Sequence, residues 1–241
     1  HHESAGGRLM ATYHNDLDSR QQVVAALQQL VEAGLTSGTS GNVSVRTADG
    51  MLITPTGVQP KDLAPDHVVY MQLDGCVGDD QLTPSSEWRM HADIYANKLG
   101  LDAVVHCHSN YATILACAHK SIPAQHYMIA ATGSYEIPLA GYATFGSQQL
   151  SNAALEALST SLACLLANHG QLATGFNLEG ALKLAELVEE MAHWHWGALA
   201  IGGPKLLSRE QMDEVLTAFA TYGQQQERKD LASGNRLDDS D

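Results

Sequence analysis

Hydrophobic positions near the start of the chain recur every three to four residues. The segment DSRQQVVAALQQLVEA, residues 18–33, carries apolar side chains at helical spacing, namely Val23, Val24, Leu27, Leu30 and Val31. Asp18 or Ser19 can cap its start, and Gly34 follows its end. This pattern predicts an amphipathic helix.

Short runs rich in β-forming residues follow. The segment NVSVRTADGMLITP, residues 42–55, alternates around Ala48-Asp49-Gly50, and Pro55 and Pro60 close the region. A turn of this composition between alternating runs is a hairpin signature. We therefore predict two early strands joined by a tight turn.

The middle of the chain alternates between helical and strand patterns. Residues 85–98 have helical periodicity, DAVVHCH (102–108) is typical of a buried strand, and SNYATILACAHK (109–120) predicts another helix. Strand and helix thus follow one another closely here.

The last third contains two strands and two helices by the same criteria. LACLLANHGQLATG, residues 162–175, predicts two strands with a turn near Gly170. A long helix is predicted over 177–200, ending at Gly202-Gly203, and a shorter one over roughly 208–221.

The domain organisation follows from the absence of any repeat or dividing linker in the sequence. We expect one domain over residues 11–223, and a hydrophobic content of 44% is sufficient for a sizeable core. Residues 1–10 are typical of a tag remnant and linker, with Met10 as the expected natural start. Residues 224–241 are polar and aperiodic, so we expect a mobile tail.

The charge balance argues against two classes of partner. The chain has 13 Lys and Arg against 27 Asp and Glu, a formal net charge of -14. Such a charge repels nucleic acid and anionic membrane surfaces. The sequence also lacks an apolar run long enough to cross a bilayer. The four cysteines form no CxxC pair, which favours a reducing cytoplasm.

Two histidine pairs have the same spacing, but the predicted secondary structure around them indicates different roles. His106 and His108 lie on a predicted strand, where side chains two apart emerge from one face and can share a metal ion. The alternative for this pair is that one histidine is buried in the core with its hydrogen bonds made and the other lies at the end of the strand. His193 and His195 lie on a predicted helix, where positions two apart diverge by about 200°, so we predict a structural role.

A catalytic zinc site needs a further ligand besides this pair. His169 is the best candidate, because it ends an apolar strand just before a glycine that permits a sharp turn. His91, His119 and His126 remain possible by composition. Glu87 and His91 are four apart on a predicted helix and could also face one ion together.

Three small, hydroxylated segments could bind an anion. Ser85, Ser86 and Glu87 stand at a predicted helix start, where unpaired N–H groups favour negative charge. The alternative is an ordinary helix cap. TSGTSGN (36–42) and TPTG (54–57) can turn N–H groups toward an oxyanion, although neither is a P-loop. Together with a metal site, they indicate a small phosphorylated, oxygen-rich ligand.

At this point the motifs are specific enough to show a resemblance. GTSGNVSVR, MLITPTGV, LTPSSEWRMH, AVVHCHSNYAT, SIPAQHYMIAATG, GYATFGSQQLS and LLANHG occur in the order found in the class II aldolase/adducin family, and resemble most its fuculose-phosphate aldolases. The resemblance extends over about residues 20–223. It implies a single-domain three-layer α/β/α sandwich with a mixed, mostly antiparallel central sheet, assembled as a homotetramer with active sites between subunits.

The resemblance also implies roles for individual residues. His106, His108 and His169 match the zinc ligands, with one zinc ion per chain, and Glu87 matches a carboxylate that ligates the ion and acts as acid and base. Tyr127 matches an active-site tyrosine from the neighbouring subunit, with Phe145 and Tyr222 near that interface. The expected phosphate cradle consists of Gly41, Asn42, Thr56, Gly57, Ser85 and Ser86.

The implied reaction is reversible cleavage of a ketose 1-phosphate of the L-fuculose 1-phosphate type, through a metal-stabilised enediolate. Its products are dihydroxyacetone phosphate and an aldehyde such as L-lactaldehyde. Alternatives are an aldolase for 5-deoxyribulose or 5-methylthioribulose 1-phosphate, a ribulose-phosphate 4-epimerase, or an adducin-like binding domain.

Several sequence features separate these alternatives. Epimerases of the family typically have Asp in place of Glu87 and continue the third histidine motif with Pro, where this chain has Gln171. A binding domain is expected to lose ligands that are all present here. Asn168 replaces a histidine frequent in fuculose-phosphate aldolases, which affects the expected substrate more than the reaction.

Overall fold

A seven-stranded sheet forms the centre of the protein. The computed structural model describes residues 16–234, and side chains as far as 221. The predicted tag remnant and linker, residues 1–10, lies outside the described residues. The strands are β1 (Asn42–Arg46), β2 (Met51–Ile53), β3 (Val69–Met71), β4 (Ala103–Cys107), β5 (Leu139–Ala140), β6 (Ala163–Leu166) and β7 (Gly170–Gly175).

The order of strands across the sheet is β3-β2-β1-β4-β7-β6-β5. Every neighbouring pair is antiparallel except β5 and β6, which run parallel. The predicted hairpin is confirmed, since Arg46 pairs with Met51 across the turn that contains Ala48-Asp49-Gly50. The sheet is therefore mixed and mostly antiparallel, as the resemblance implied.

Within residues 16–234, six α-helices pack around this sheet. They are α1 (Leu17–Glu32), α2 (Trp88–Asn97), α3 (Asn110–Cys117), α4 (Gln148–Ala157), α5 (Leu178–Ala200) and α6 (Arg209–Gly234). The predicted helices are all present, but α2 begins three residues later than expected. The predicted end of the last helix near 221 was wrong, because α6 continues to Gly234 and includes part of the segment expected to be a tail. Residues 235–241 of that segment lie outside the described range.

Alternation along the strands produces two separate cores. On β4, Val105 and Cys107 pack into the core beneath α1, α3 and α5, whereas Val104 packs into the core beneath α2 and α4. This is the three-layer α/β/α arrangement expected for the chain. His106 shares the face of Val104, so it points toward the α2 side of the sheet.

Within residues 16–234, no helix is both long enough and apolar enough to span a membrane.

Candidate active site

Three histidines converge where β4 ends beside the turn between β6 and β7. His106 is the fourth residue of β4, His108 follows the strand, and His169 lies in the turn. Their ring centroids are 4.7 to 5.0 Å apart, and one nitrogen of each lies within 4.8 Å of those of the other two. The structure thus brings together the pair on one strand face and the third histidine selected from the sequence.

The turn that carries His169 differs from the predicted one. The expectation that Gly170 makes the reversal was wrong, because the left-handed residue is Asn168, at φ 57°. Gly170 is the first residue of β7, and a Cβ there would lie 2.6 Å from the Cys107 carbonyl oxygen and 3.0 Å from the His108 ring. Glycine at this position therefore permits the close approach of β7 to the end of β4.

The side chain of Asn168 links this turn to the end of α3. Its Oδ1 lies 2.6 Å from Nε2 of His119, and its backbone N–H donates to the carbonyl of Ala116 at 3.1 Å. His119 also has a positive φ, 52°. These contacts hold the segment immediately before His169 in place.

Glu87 directs its carboxylate at the histidines. It directly precedes α2 and is 6% exposed. Oε2 lies 3.1 Å from Nε2 of His106, and Oε1 lies 2.9 Å from Nε2 of His169. Burial raises the pKa of the Glu87 carboxyl, but the two imidazoles outweigh burial and hold that pKa well below its ordinary value. Glu87 is therefore a carboxylate, the form that binds a cation.

The ring orientation of His106 is fixed by a hydrogen bond on the side that faces away from the cluster. Its Nδ1–H donates to the carbonyl oxygen of Gln171 at 2.8 Å, which leaves Nε2 facing the cluster. Burial lowers the pKa of His106, but the adjacent Glu87 carboxylate reverses this and raises it above its ordinary value. The Gln171 side chain donates to Ser109 and to the Ala185 carbonyl, so β7 is itself held against α5.

Several atoms of this cluster are shielded from solvent and lack a hydrogen-bond partner, namely Nε2 of His106, Nε2 of His108 and Oε1 of Glu87. Burial, with the neighbouring His106 and His169, lowers the pKa of His108 to about 4, so its imidazole is neutral at pH 7. Unpaired buried polar atoms are costly unless a ligand satisfies them. Three imidazole nitrogens and a carboxylate that converge in this way fit a divalent ion such as zinc.

The other histidines considered from the sequence have different partners. His91 bonds to Ser44 and Asn42 instead of turning toward the cluster. His126 accepts a hydrogen bond from the backbone of Met128 and stacks on Tyr127. His193 stacks on Tyr111, and His195 bonds to Gln125. The shared Glu87–His91 ion site is therefore not formed, and the helical pair has structural contacts, as predicted.

A cavity of about 340 Å³ opens beside the histidines. Most of the residues proposed for phosphate binding line it, namely Gly41, Asn42, Thr56, Ser85 and Ser86. Gly57 follows Thr56 with a φ of 72°. The described residues of the lining include no lysine or arginine, so the available donors are hydroxyls, amide and imidazole side chains, and backbone N–H groups.

Aromatic side chains stand at this cavity and beyond it. Tyr142 and Phe145 line it and are each 66% exposed. Tyr127 is 51% exposed and is not among the lining residues of its own chain. The side chain of Tyr222 lies outside the described residues. Sequence reasoning missed Tyr142, although it belongs to the quoted GYATFG stretch, because an exposed tyrosine in a loop has no distinctive pattern.

Comparison with known proteins gives consistent results. Residues 21–196 match the family model described as Class II Aldolase and Adducin N-terminal domain. The chain is 46% identical over 204 residues to a 5-methylthioribulose-1-phosphate/5-deoxyribulose-1-phosphate aldolase of Rhodospirillum rubrum, covering 85% of this chain and 92% of that protein. It is 45% identical over 204 residues to the L-fuculose phosphate aldolase of Escherichia coli strain K12, covering 84% and 94%.

The fold agrees with a solved structure. An L-fuculose 1-phosphate aldolase structure superposes with a TM-score of 0.81 at 38% sequence identity, covering 84% of this chain and 96% of the other. The two proteins therefore share the same α/β fold.

Proposed function

This chain belongs to the class II aldolase and adducin family, and from that premise we propose that it is a zinc-dependent aldolase that reversibly cleaves a ketose 1-phosphate to dihydroxyacetone phosphate and an aldehyde. Its relatives among the fuculose-phosphate aldolases support the reaction class. The observation that carries the proposal is the convergence of three imidazole nitrogens, within 4.8 Å of one another, beside the Glu87 carboxylate, with several of these atoms shielded from solvent and without a hydrogen-bond partner.

His106, His108 and His169 would hold one zinc ion per chain, with Glu87 as a further ligand before substrate binds. When bound, such an ion would supply Lewis acidity toward the carbonyl and adjacent hydroxyl oxygens of the substrate, which would favour the negative charge that develops there as the C3–C4 bond breaks. The backbone carbonyl of Gln171 supports this role by holding His106 with Nε2 toward the cluster.

Glu87 is the proposed acid and base. It lines the cavity, is ionised, and has one oxygen without a hydrogen-bond partner. During cleavage the C4 hydroxyl gives up its proton as it becomes the aldehyde oxygen; that proton would pass to the Glu87 carboxylate, which would then donate it to C3 of the enediolate and so complete dihydroxyacetone phosphate. In the synthetic direction the same carboxylate removes that proton.

The phosphate would bind in the part of the cavity lined by hydroxyls and glycine. Gly41, Asn42, Thr56, Gly57, Ser85 and Ser86 are the proposed contacts. The segment of Ser85 and Ser86 leads into the first turn of α2, where backbone N–H groups favour an anion. The Asn42 side chain is already engaged with Glu87.

Tyr127 is proposed to act on the aldehyde oxygen in the active site of a neighbouring subunit of a homotetramer. Its exposure, and its position outside the cavity of its own chain, support this assignment. Phe145 and Tyr142 already line the cavity of their own chain. The four cysteines are free thiols, which supports the expectation that the enzyme works in the cytoplasm.

Two substrate classes remain in competition because both are ketose 1-phosphates that differ in the aldehyde portion. A substrate of the L-fuculose 1-phosphate type, yielding an aldehyde such as L-lactaldehyde, is the first proposal. 5-Deoxyribulose or 5-methylthioribulose 1-phosphate is the second, favoured by Asn168, which lines the cavity where many fuculose-phosphate aldolases have histidine. The relative from Rhodospirillum rubrum favours the second class too.

The test is cleavage of these three sugar phosphates by the purified protein. Release of dihydroxyacetone phosphate, measured with a coupled reductase, gives kcat/KM for each, and the substrate with the highest value decides between the classes. A sample treated with a chelator is the control and should be inactive. Epimerisation of a ribulose phosphate without any cleavage would refute the aldolase assignment.

A further inference from the structure

A row of buried polar side chains leads from α2 to the catalytic carboxylate. Asn42 and Ser44 are two apart on β1, and His91 and Tyr95 are four apart on α2, so each pair shares one face. The exposure of Asn42 is 4%, and that of the other three is 0%. We call Tyr95, Ser44, His91 and Asn42 the support chain of Glu87.

Each member contacts the next at hydrogen-bond distance. The Tyr95 hydroxyl lies 2.7 Å from Oγ of Ser44, and that Oγ lies 2.6 Å from Nδ1 of His91. Nε2 of His91 lies 2.5 Å from Oδ1 of Asn42. The Asn42 amide nitrogen then donates to Oε2 of Glu87 at 2.9 Å. The row therefore ends on an oxygen of the proposed acid and base.

The hydrogen bond from Asn42 to Glu87 determines the donor and the acceptor in each of the other hydrogen bonds. The Asn42 amide presents its NH2 group to Oε2 of Glu87 and its oxygen to Nε2 of His91. His91 must then donate from Nε2, so its Nδ1 accepts from Ser44. The Ser44 oxygen in turn accepts from the Tyr95 hydroxyl.

The surroundings of the two titratable members agree with this direction. Burial, assisted by the neighbouring His106, lowers the pKa of His91 to about 3, so the imidazole is neutral and can accept at one nitrogen. Burial raises the pKa of the Tyr95 phenol, which keeps its proton available to Ser44.

We propose that Tyr95, Ser44, His91 and Asn42 are positioning residues that fix the Asn42 amide with its NH2 toward Glu87, so that Oε2 is restrained and Oε1 is left to move the proton. A flipped amide would place its oxygen against the carboxylate and push it out of position. The inference rests on the proposed aldolase function and deepens the role of Glu87 in it.

The kinetic test compares His91→Phe with His91→Gln. The readout is exchange of the C3 proton of dihydroxyacetone phosphate with D2O, followed by NMR over a range of ligand concentrations. For His91→Phe we expect the maximal exchange rate to fall by about 10- to 100-fold while the half-saturating concentration and the zinc content stay near wild type. His91→Gln should recover most of the rate, because the amide supplies a donor and an acceptor.

A matched pair of serine variants separates positioning from general packing. Ser44 and Ser151 are both fully buried and both hydrogen-bonded, but Ser151 bonds to Asp93, away from the support chain. Ser44→Ala should slow exchange, whereas Ser151→Ala should not. Equal rates for the two variants, or equal impairment of the His91→Phe and His91→Gln proteins, would overturn the proposal.

A spectroscopic test needs neither zinc nor substrate. In the metal-free protein labelled with 15N-histidine, His91 should show the neutral tautomer with its proton on Nε2, and Ser44→Ala should convert it to a mixture of tautomers. A wild-type His91 protonated on Nδ1 would contradict the support chain. If the wild-type enzyme neither exchanges the proton nor cleaves a ketose 1-phosphate, the proposed function fails. The tautomer of His91 still shows independently whether the support chain of Glu87 is formed.

Discussion

At the scale of single residues, the two oxygens of Glu87 have different surroundings. Oε2 accepts from Asn42 and lies near His106, while Oε1 lies near His169 without an aligned hydrogen bond. The sequence placed Glu87 at the start of a predicted helix, but it could not indicate this asymmetry. Asn42 lies 45 positions away in the sequence, and an asparagine after a glycine does not by itself predict a contact with a distant carboxylate.

Replacing Glu87 by Gln keeps the size of the side chain and removes its charge. The fold should remain, because the Gln amide oxygen can still accept from Asn42. Exchange of the C3 proton of dihydroxyacetone phosphate should fall by about 10²- to 10⁴-fold, because the group that moves the proton is lost. Thermal unfolding reports the fold and NMR in D2O reports the exchange. Exchange at the wild-type rate would remove Glu87 from the role of acid and base.

At the scale of elements, local periodicity predicted β4 and its histidine pair, because alternation is a property of neighbouring residues. It could not predict the strand order or the parallel pairing of β5 with β6, which depend on contacts between distant segments. β5 has two residues, too few to show a period. α6 extends beyond 221 through a polar stretch without the apolar stripe on which periodicity relies.

Gly170→Ala tests the close approach of β7 to β4. The added Cβ would meet the Cys107 carbonyl at 2.6 Å, and a backbone atom cannot move aside cheaply. We expect a loss of about 1–3 kcal/mol in the free energy of unfolding, measured with urea, and weaker zinc binding because His108 is displaced.

Gly197→Ala is the control for that variant. Gly197 lies inside α5, and a Cβ there would meet no atom within 4 Å. We expect this protein to be more stable by roughly 0.5–1 kcal/mol, with zinc affinity unchanged, because alanine is the better helix former. Equal stabilities for the two variants would mean that the contact of Gly170 does not constrain the site.

At the scale of the whole molecule, several large aromatic side chains are exposed on the surface of the single subunit. Tyr127, Trp194 and Trp196 are 51%, 41% and 44% exposed, and His126 contacts both Tyr127 and Trp194. Clustered exposed aromatic residues are typical of protein interfaces. This supports the proposal that active sites are completed by neighbouring subunits.

Mixing two impaired variants tests that arrangement. If Glu87 and Tyr127 of one site come from different subunits, co-assembly of Glu87→Gln with Tyr127→Phe creates some sites with both residues intact. An equal mixture, unfolded and reassembled together, should recover about a quarter of the wild-type cleavage rate. The two variants assembled separately and then combined are the control. No gain over that control would place Tyr127 outside the neighbouring site.

The central claim is that the three histidines and Glu87 hold one zinc ion on which cleavage depends. The most direct measurement is metal content and ketose 1-phosphate cleavage on the same sample of full-length protein, purified without a metal column. We predict about one zinc per chain, loss of both zinc and cleavage in His106→Ala, and recovery of the chelated wild type on adding zinc. A metal-free protein that cleaves at the full rate would contradict the account.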